Sequence, residues 1–369
     1  MNLYIGLMSG TSMDGIDAAL IDVDNNKLIA GITRDYSSAT QSLLYEIVTS
    51  KHTTISCIAQ LNTLIGRDFA KAVNDLLQSA QISASKIAAI GSHGQTIAHD
   101  MNAEIPYTVQ LGCAHTIAQL TGINVVADFR ISDVIRGGLG APFAPIYHQS
   151  LFSEFDDSVA IVNIGGIANI SFLQQGKVPQ GFDTGPGNCL MDLWIKKCRN
   201  KKYDQNGGWA ASGEINYNLL NALLDDDYFK EPAPKSIGKE YFSLSWLDKY
   251  LTTQLKSEDV QATLLALSAV LICNAINTSS CKPQRLFVCG GGVHNTALVA
   301  DLDKKLDNIA VNSTQSIDID PDFIEAMMFA WLAEKAMSNT ALDMKAITGA
   351  SSPGFLGIIY PAYLTSTGI

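Results

Sequence analysis

The sequence predicts a two-lobed α/β protein whose sheets are largely parallel, on three observations. The chain has 369 residues, more than one hydrophobic core usually serves, and 47% of them are hydrophobic, enough to fill two. Near the start, the apolar run Leu3-Tyr4-Ile5-Gly6-Leu7 meets a loop of glycines, hydroxyls and a carboxylate, after which a second strand-like run covers residues 16–22. Further along, strands alternate with helices, the pattern of a parallel sheet whose ligands sit at the carboxyl ends of the strands.

Residues 8–15, Met8-Ser9-Gly10-Thr11-Ser12-Met13-Asp14-Gly15, make a longer loop than a hairpin needs. Gly10, Thr11, Ser12 and Gly15 can offer amides and hydroxyls to the β- and γ-phosphates of a nucleotide, and Asp14 and Asp17 can face a magnesium ion directly or through water. The simpler alternative is an ordinary tight hairpin, because Asp-Gly is a favoured turn pair. A Walker loop is excluded, since it needs Lys-Ser/Thr directly ahead of a helix and a second strand follows here. A β-loop-β phosphate loop at the N-terminus instead resembles the sugar-kinase, actin and heat-shock-ATPase superfamily, which repeats the device in its second half. That resemblance implies an actin-like ATPase of two ribonuclease H-like lobes with a nucleotide cleft between them.

Apolar residues follow at helical spacing over 42–48 and 57–78. A short strand at 86–90 then ends in Gly91-Ser92-His93-Gly94-Gln95-Thr96, and another at 123–127 ends in Asp128-Phe129-Arg130. These strand ends carry polar pairs, His93 with Gln95 and Asp128 with Arg130, on the expected ligand side. A lone histidine is more often structural than catalytic, and the spacing from His93 to His99 does not suit zinc, so no structural metal is expected. Gly137-Gly138-Leu139-Gly140-Ala141-Pro142 is the clearest glycine and proline concentration mid-chain and marks a lobe junction. The expected division is residues 1–132, joined by the tail 345–369, against residues 133–344.

In the second half the opening theme recurs as strand 159–163, glycine turn 164–169 and return strand 170–173. Asp183 stands among glycines ahead of a helix over 189–198, where it suits a general base at an open helix start and equally an ordinary N-cap. An aspartic protease needs a second Asp-Thr-Gly or Asp-Ser-Gly, and none occurs. Gly290-Gly291-Gly292, after a buried strand at 285–289, lets a flat ring or ribose lie against bare backbone, or merely closes a turn. A helix is expected over 322–337.

A net charge of −11 leaves no basic field, so a polyphosphate must be held by local N–H groups and a cation, and nucleic acid is not an expected partner. Seven cysteines without a Cys-x-x-Cys pair fit a reducing compartment. No cationic segment opens the chain, and the apolar stretch 262–276, interrupted by Thr263, Ser268 and Asn274, reads as a core helix too short to span a bilayer. The expectation is a cytoplasmic protein with no membrane partner.

Taken in order, Met8 to Gly15, His93-Gly94-Gln95-Thr96, Asp128-Phe129-Arg130, Gly138-x-Gly140-Ala141-Pro142, Asn163-Ile164-Gly165-Gly166-Ile167-Ala168-Asn169, Asp183-Thr184-Gly185-Pro186-Gly187-Asn188 and Cys289-Gly290-Gly291-Gly292 resemble the anhydro-N-acetylmuramic acid kinase family. The likeness covers essentially the whole chain, including Pro232-Ala233-Pro234-Lys235-Ser236 and Thr348-Gly349-Ala350-Ser351. It implies ATP-dependent phosphorylation of 1,6-anhydro-N-acetylmuramic acid at O6 with hydrolytic opening of the anhydro ring, giving N-acetylmuramate 6-phosphate in cell-wall recycling. By the family pattern the run Gly10, Thr11, Ser12, Met13, Asp14, Gly15, Ile16 and Asp17 binds the ATP phosphates with Mg2+, and Asp183 is the catalytic base. Gly165, Gly166, Gly185, Gly290, Gly291 and Gly292 complete the nucleotide site, and His93, Gln95, Asp128, Arg130, Asn188 and Glu325 stand on the sugar side. Inverting glycoside hydrolysis normally needs an acid and a base, but here the γ-phosphoryl group can capture the leaving O6, so one carboxylate suffices. The implied partners are ATP and a small anhydro amino sugar, with a homodimer allowed. Two other readings stay open: an actin-like ATPase whose turnover closes the lobes for a protein partner, and a kinase for another small sugar or carboxylate.

Overall fold

A computed structural model describes residues 1–10, 13, 15–49, 53–238, 241–251 and 254–362. The chain divides into two compact units, Met1–Ala141 with Phe323–Ile369, and Pro142–Asp322. Both boundaries differ from the expected 132/133 and 344/345. The segment after residue 132 is tied into the first unit, where Gly140 donates its N–H to Asp133 Oδ2 at 2.8 Å and Leu139 donates to the Thr348 carbonyl at 2.9 Å.

The first unit opens with an antiparallel meander of β1 (Leu3–Ser9), β2 (Ile16–Asp22) and β3 (Lys27–Arg34). β4 (Ile87–Asp100) lies parallel to β1, β5 (Tyr107–Leu111) pairs antiparallel with β4, and β6 (Val125–Ala127) lies parallel to β4. The helix Ile55–Ala80 is capped by Thr54, whose hydroxyl accepts from Cys57 N at 3.1 Å. Its Leu61, Ile65, Phe69, Val73 and Leu76, three or four residues apart, form one stripe that packs with Leu3, Ile5 and Leu7 of β1. β4 corrects the expected loop at 91–96, because the strand continues through that segment and places His93 and Gln95 within it.

The second unit repeats the plan with β7 (Val159–Ile164), β8 (Ile167–Leu173) and β9 (Gln180–Pro186) as the meander. β10 (Arg285–Cys289) is parallel to β7, and β11 (Ala310–Ser313) is parallel to β10. The order β11-β10-β7-β8-β9 thus matches β6-β4-β1-β2-β3 strand for strand, the ribonuclease H-like arrangement in both units. Its core sets Ala160, Val162, Ile164, Ala168 and Ile170 against the helix Ser257–Thr278. That helix, longer than the sequence suggested, is apolar and long enough to cross a membrane by composition, but most of it is buried in this core.

The chain then returns to the first unit as the helix Ile324–Met337 and β12 (Ile358–Tyr360), which pairs antiparallel with β6. Two glycines let this helix lie directly on the sheet. A Cβ on Gly6 of β1 or Gly91 of β4 would collide with the Ala326 or Phe329 carbonyl.

Candidate active site

At the N-terminal hairpin, Thr11, Ser12 and Asp14 lie outside the described residues, and Gly10, Met13 and Gly15 frame the turn. Met13 N donates to the Gly10 carbonyl at 3.2 Å, with Met13 at φ 61° and its side chain packed on the unit core. Gln95 holds the loop from beneath. Fully buried, it accepts at Oε1 from the hydroxyls of Ser9 (2.8 Å) and Tyr36 (3.1 Å), and donates from Nε2 to the Gly10 and Thr96 carbonyls, both at 3.2 Å. Two acceptor and two donor positions are the whole capacity of the amide. Gln95, expected on the sugar side, thus makes its four hydrogen bonds within the protein, two of them to Ser9 and Gly10 of the N-terminal loop. Ser9 Oγ also lies 2.7 Å from the Gly15 carbonyl, bringing both ends of the loop to one hydroxyl. Ile16 is fully buried in the core, so only its backbone can face a ligand, and Asp17 accepts from Thr33 Oγ1 at 2.7 Å.

His93, midway along β4, meets Arg130, which follows β6 two residues after Asp128. Arg130 donates from Nε to His93 Nε2 at 2.9 Å and from Nη1 to the Gly140 carbonyl at 3.2 Å. Burial and the Arg130 charge hold the His93 pKa well below the ordinary imidazole value, and its ring rests on Phe329 at 4.7 Å. Asp128 turns the chain at φ 62° and accepts a short hydrogen bond from Tyr360 Oη. Asp133, unmarked by the sequence reading, is fully buried. It accepts from Gly140 N and, at 2.9 Å, from Thr348 Oγ1, which fixes the loop that Arg130 reaches; burial raises its pKa. Glu325 stands half-buried on the first turn of the helix Ile324–Met337.

In the second unit, Gly165 and Gly166 make the tight β7–β8 turn, locked by Gly187 N to Gly166 O (2.9 Å), Asn188 N to Gly165 O (2.8 Å) and Asn188 Nδ2 to Ile164 O (3.1 Å). Asn188, expected on the sugar side, clamps this turn. At Gly185, expected in the nucleotide site, φ is 144° and a Cβ would meet Phe229 and Leu271. The glycine triplet divides in the same way. Gly290 and Gly292 press on Asn163 and Ile164, whereas a Cβ on Gly291 would meet nothing within 4 Å.

Asp183 lies inside β9, six residues ahead of the helix Cys189–Arg199, so the N-cap alternative is ruled out and the expected helix-start position is corrected. Ala168 pairs with Gly185 and Asn169 with Asp183, which leaves Thr184 as a bulge that re-aims the strand beside the carboxylate. Asp183 is 8% exposed, and its Oδ2 accepts from Ser236 Oγ at 2.8 Å and Ile237 N at 3.0 Å. Its backbone is gripped too, N donating to Lys235 O at 3.1 Å and O accepting from Tyr228 Oη at 2.7 Å. The Lys235 ammonium donates to Tyr228 O at 2.9 Å, and burial lowers its pKa. Sequence reasoning assigned no role to Ser236 or Tyr228; the Pro232-Ala233-Pro234-Lys235-Ser236 run was the only local signal.

The family model of anhydro-N-acetylmuramic acid kinase matches residues 2–362. A protein of that name from Legionella pneumophila is 53% identical over 361 residues, 98% of this chain and 99% of its own. Another from Xylella fastidiosa is 44% identical over 367 residues, 98% and 96% of the two chains. Among solved structures, component A of the (R)-2-hydroxyglutaryl-CoA dehydratase of Acidaminococcus fermentans superposes with a TM-score of 0.48 at 11% identity, covering 90% of this chain and 97% of that one.

Proposed function

Because the chain belongs to the anhydro-N-acetylmuramic acid kinase family, we propose that it uses ATP and water to convert 1,6-anhydro-N-acetylmuramic acid into N-acetylmuramate 6-phosphate and ADP, as a step of cell-wall recycling. The observation that carries the mechanism is the fixation of Asp183 by Ser236 and Ile237 on one oxygen of a carboxylate set at a strand bulge. Asp183 takes a proton from water as that water attacks C1, and O6 leaves C1 to meet the γ-phosphorus. The two donors to Oδ2 orient the base.

In the first unit, the clamped Gly10–Gly15 backbone receives phosphate oxygens through N–H groups, and Arg130, oriented by His93, binds the sugar with Asp128 and Glu325. In the second unit the Gly165-Gly166 turn and the open face of Gly291 receive the nucleotide. Asp17 would supply a carboxylate to Mg2+, for which one or two carboxylates beside substrate phosphates are the usual protein ligands; Asp14 lies outside the described residues. Bound there, Mg2+ would neutralise phosphate charge.

The alternative kinase for an ordinary sugar is separated by a coupled ADP assay. Turnover with the anhydro sugar and none with hexoses is expected; comparable kcat/KM for a hexose would overturn the assignment.

A further inference from the structure

Three polar side chains line up across the sheet of the second unit. Asn163 of β7 pairs with Asn169 of β8, and Asn169 pairs with Asp183 of β9. Directly opposed residues of antiparallel strands project from the same face with Cβ atoms about 4.5–5.5 Å apart. Ala168 and Ile170, the neighbours of Asn169, point the other way into the core. Asn169 Oδ1 is buried and has no hydrogen-bond partner among the described residues. An acceptor stripped of water without a partner is costly, and it asks for a ligand.

We propose that Asn169 is the second acceptor for the attacking water, an inference that rests on Asp183 acting as the base. Water attacking C1 directs a lone pair at carbon, so both of its hydrogens need acceptors. Asp183 takes one as a proton. Asn169 Oδ1 receives the other, which stays on oxygen and becomes the anomeric hydroxyl hydrogen. As the new C1–O bond forms, the C1–O6 bond breaks, the O6 electron pair forms the bond to the γ-phosphorus, and ADP departs. The amide thus aims the nucleophile without exchanging a proton.

The test compares Asn169→Ala, Asn169→Asp and Asp183→Asn in the full chain, with melting curves alongside. Asn169→Ala is expected to lower kcat by about 10- to 100-fold, the loss typical of a misdirected reactant, with both KM values within about threefold of wild type. Asn169→Asp keeps an acceptor and recovers much of kcat, but its charge beside Asp183 moves the acid limb of the kcat–pH profile upward by about one unit. That shift reports only that position 169 faces Asp183; the role in aiming the water is read from the kcat loss of Asn169→Ala at unchanged KM values and its recovery in Asn169→Asp. An Asn169→Ala enzyme with kcat within about threefold of wild type overturns the proposal, as does a rise in sugar KM at constant kcat, which marks a ligand for a sugar hydroxyl. An unmoved acid limb in Asn169→Asp also overturns it. Retained turnover in Asp183→Asn would instead remove the base assignment beneath it.

Discussion

Arg130 donates its Nε hydrogen to Nε2 of His93 at 2.9 Å, which makes the imidazole an acceptor and places its own hydrogen on Nδ1. A charged imidazole could not accept, and burial with the Arg130 charge keeps it neutral, its pKa well below 6.5. His93 is in this way an orienting strut for a guanidinium, and the second anchor, from Arg130 Nη1 to Gly140, depends on the buried Asp133.

Replacing His93 by Phe keeps a ring against Phe329 and removes the acceptor. Sugar KM should rise about tenfold, the worth of one charge-assisted hydrogen bond, while ATP KM holds. Because the pKa is depressed, the neutral form persists as pH falls from 7 through 6.5, so no imidazole titration should appear in wild-type kcat/KM for the sugar over that range. A limb near pH 6.5 that vanishes in the Phe variant would refute the neutral strut.

Gln95→Ala removes four hydrogen bonds, two of them to Ser9 and Gly10 at the start of the N-terminal loop, and leaves the Gly10 carbonyl without this donor. ATP KM is expected to rise about tenfold or more, since each buried group left unsatisfied costs about 1–3 kcal/mol, with the sugar KM nearly unchanged. Equal rises in both would return Gln95 to the sugar side, and isothermal titration with a non-hydrolysable ATP analogue reads the difference directly.

The glycine hairpins and Asp183 were legible in the sequence because their signals are local: an overlong glycine loop, a repeat of strand and turn, a carboxylate among glycines. The supports were not. Thr348 meets Asp133 across 215 residues and Tyr360 meets Asp128 across 232, separations that no local pattern encodes. Residues 91–96 read as a loop from their glycines and polar side chains, yet the Ile324–Met337 helix packed over Gly91 and the pairing with β5 keep them in a strand. Nor can sequence distinguish a glycine that makes room for a ligand from one that makes room for the protein. Gly185 and Gly291 sit in equally suggestive motifs, and only packing separates them.

That separation yields a paired prediction. Gly291→Ala meets no neighbour within 4 Å, so the fold should lose less than about 0.5 kcal/mol while ATP KM rises as a methyl intrudes on the nucleotide face. Gly292→Ala drives its methyl into Ile164 and should cost about 1–3 kcal/mol in urea unfolding. If Gly291→Ala leaves ATP binding untouched, the triplet serves only to close the strand-to-helix turn.

The joint hydrolysis and transfer make the sharpest prediction. With Asp183 activating water against C1 and O6 attacking the γ-phosphorus, turnover in 18O-water places the label on C1 of the product and none in the phosphate ester. The 1,6-anhydro bridge occupies the β face of the ring, so water arrives from the opposite side and the first product is the α-anomer, before mutarotation mixes the two. Bond breaking at C1 and capture of O6 are one event in this scheme, so ADP and opened sugar should form one to one. NMR of the earliest product, with mass spectrometry of its phosphate, reads all three outcomes. Label in the phosphate or a β-anomer formed first would overturn the single-carboxylate mechanism, and a phosphorylated sugar with its anhydro ring intact would replace it with an ordinary sugar kinase in which Asp183 deprotonates a hydroxyl.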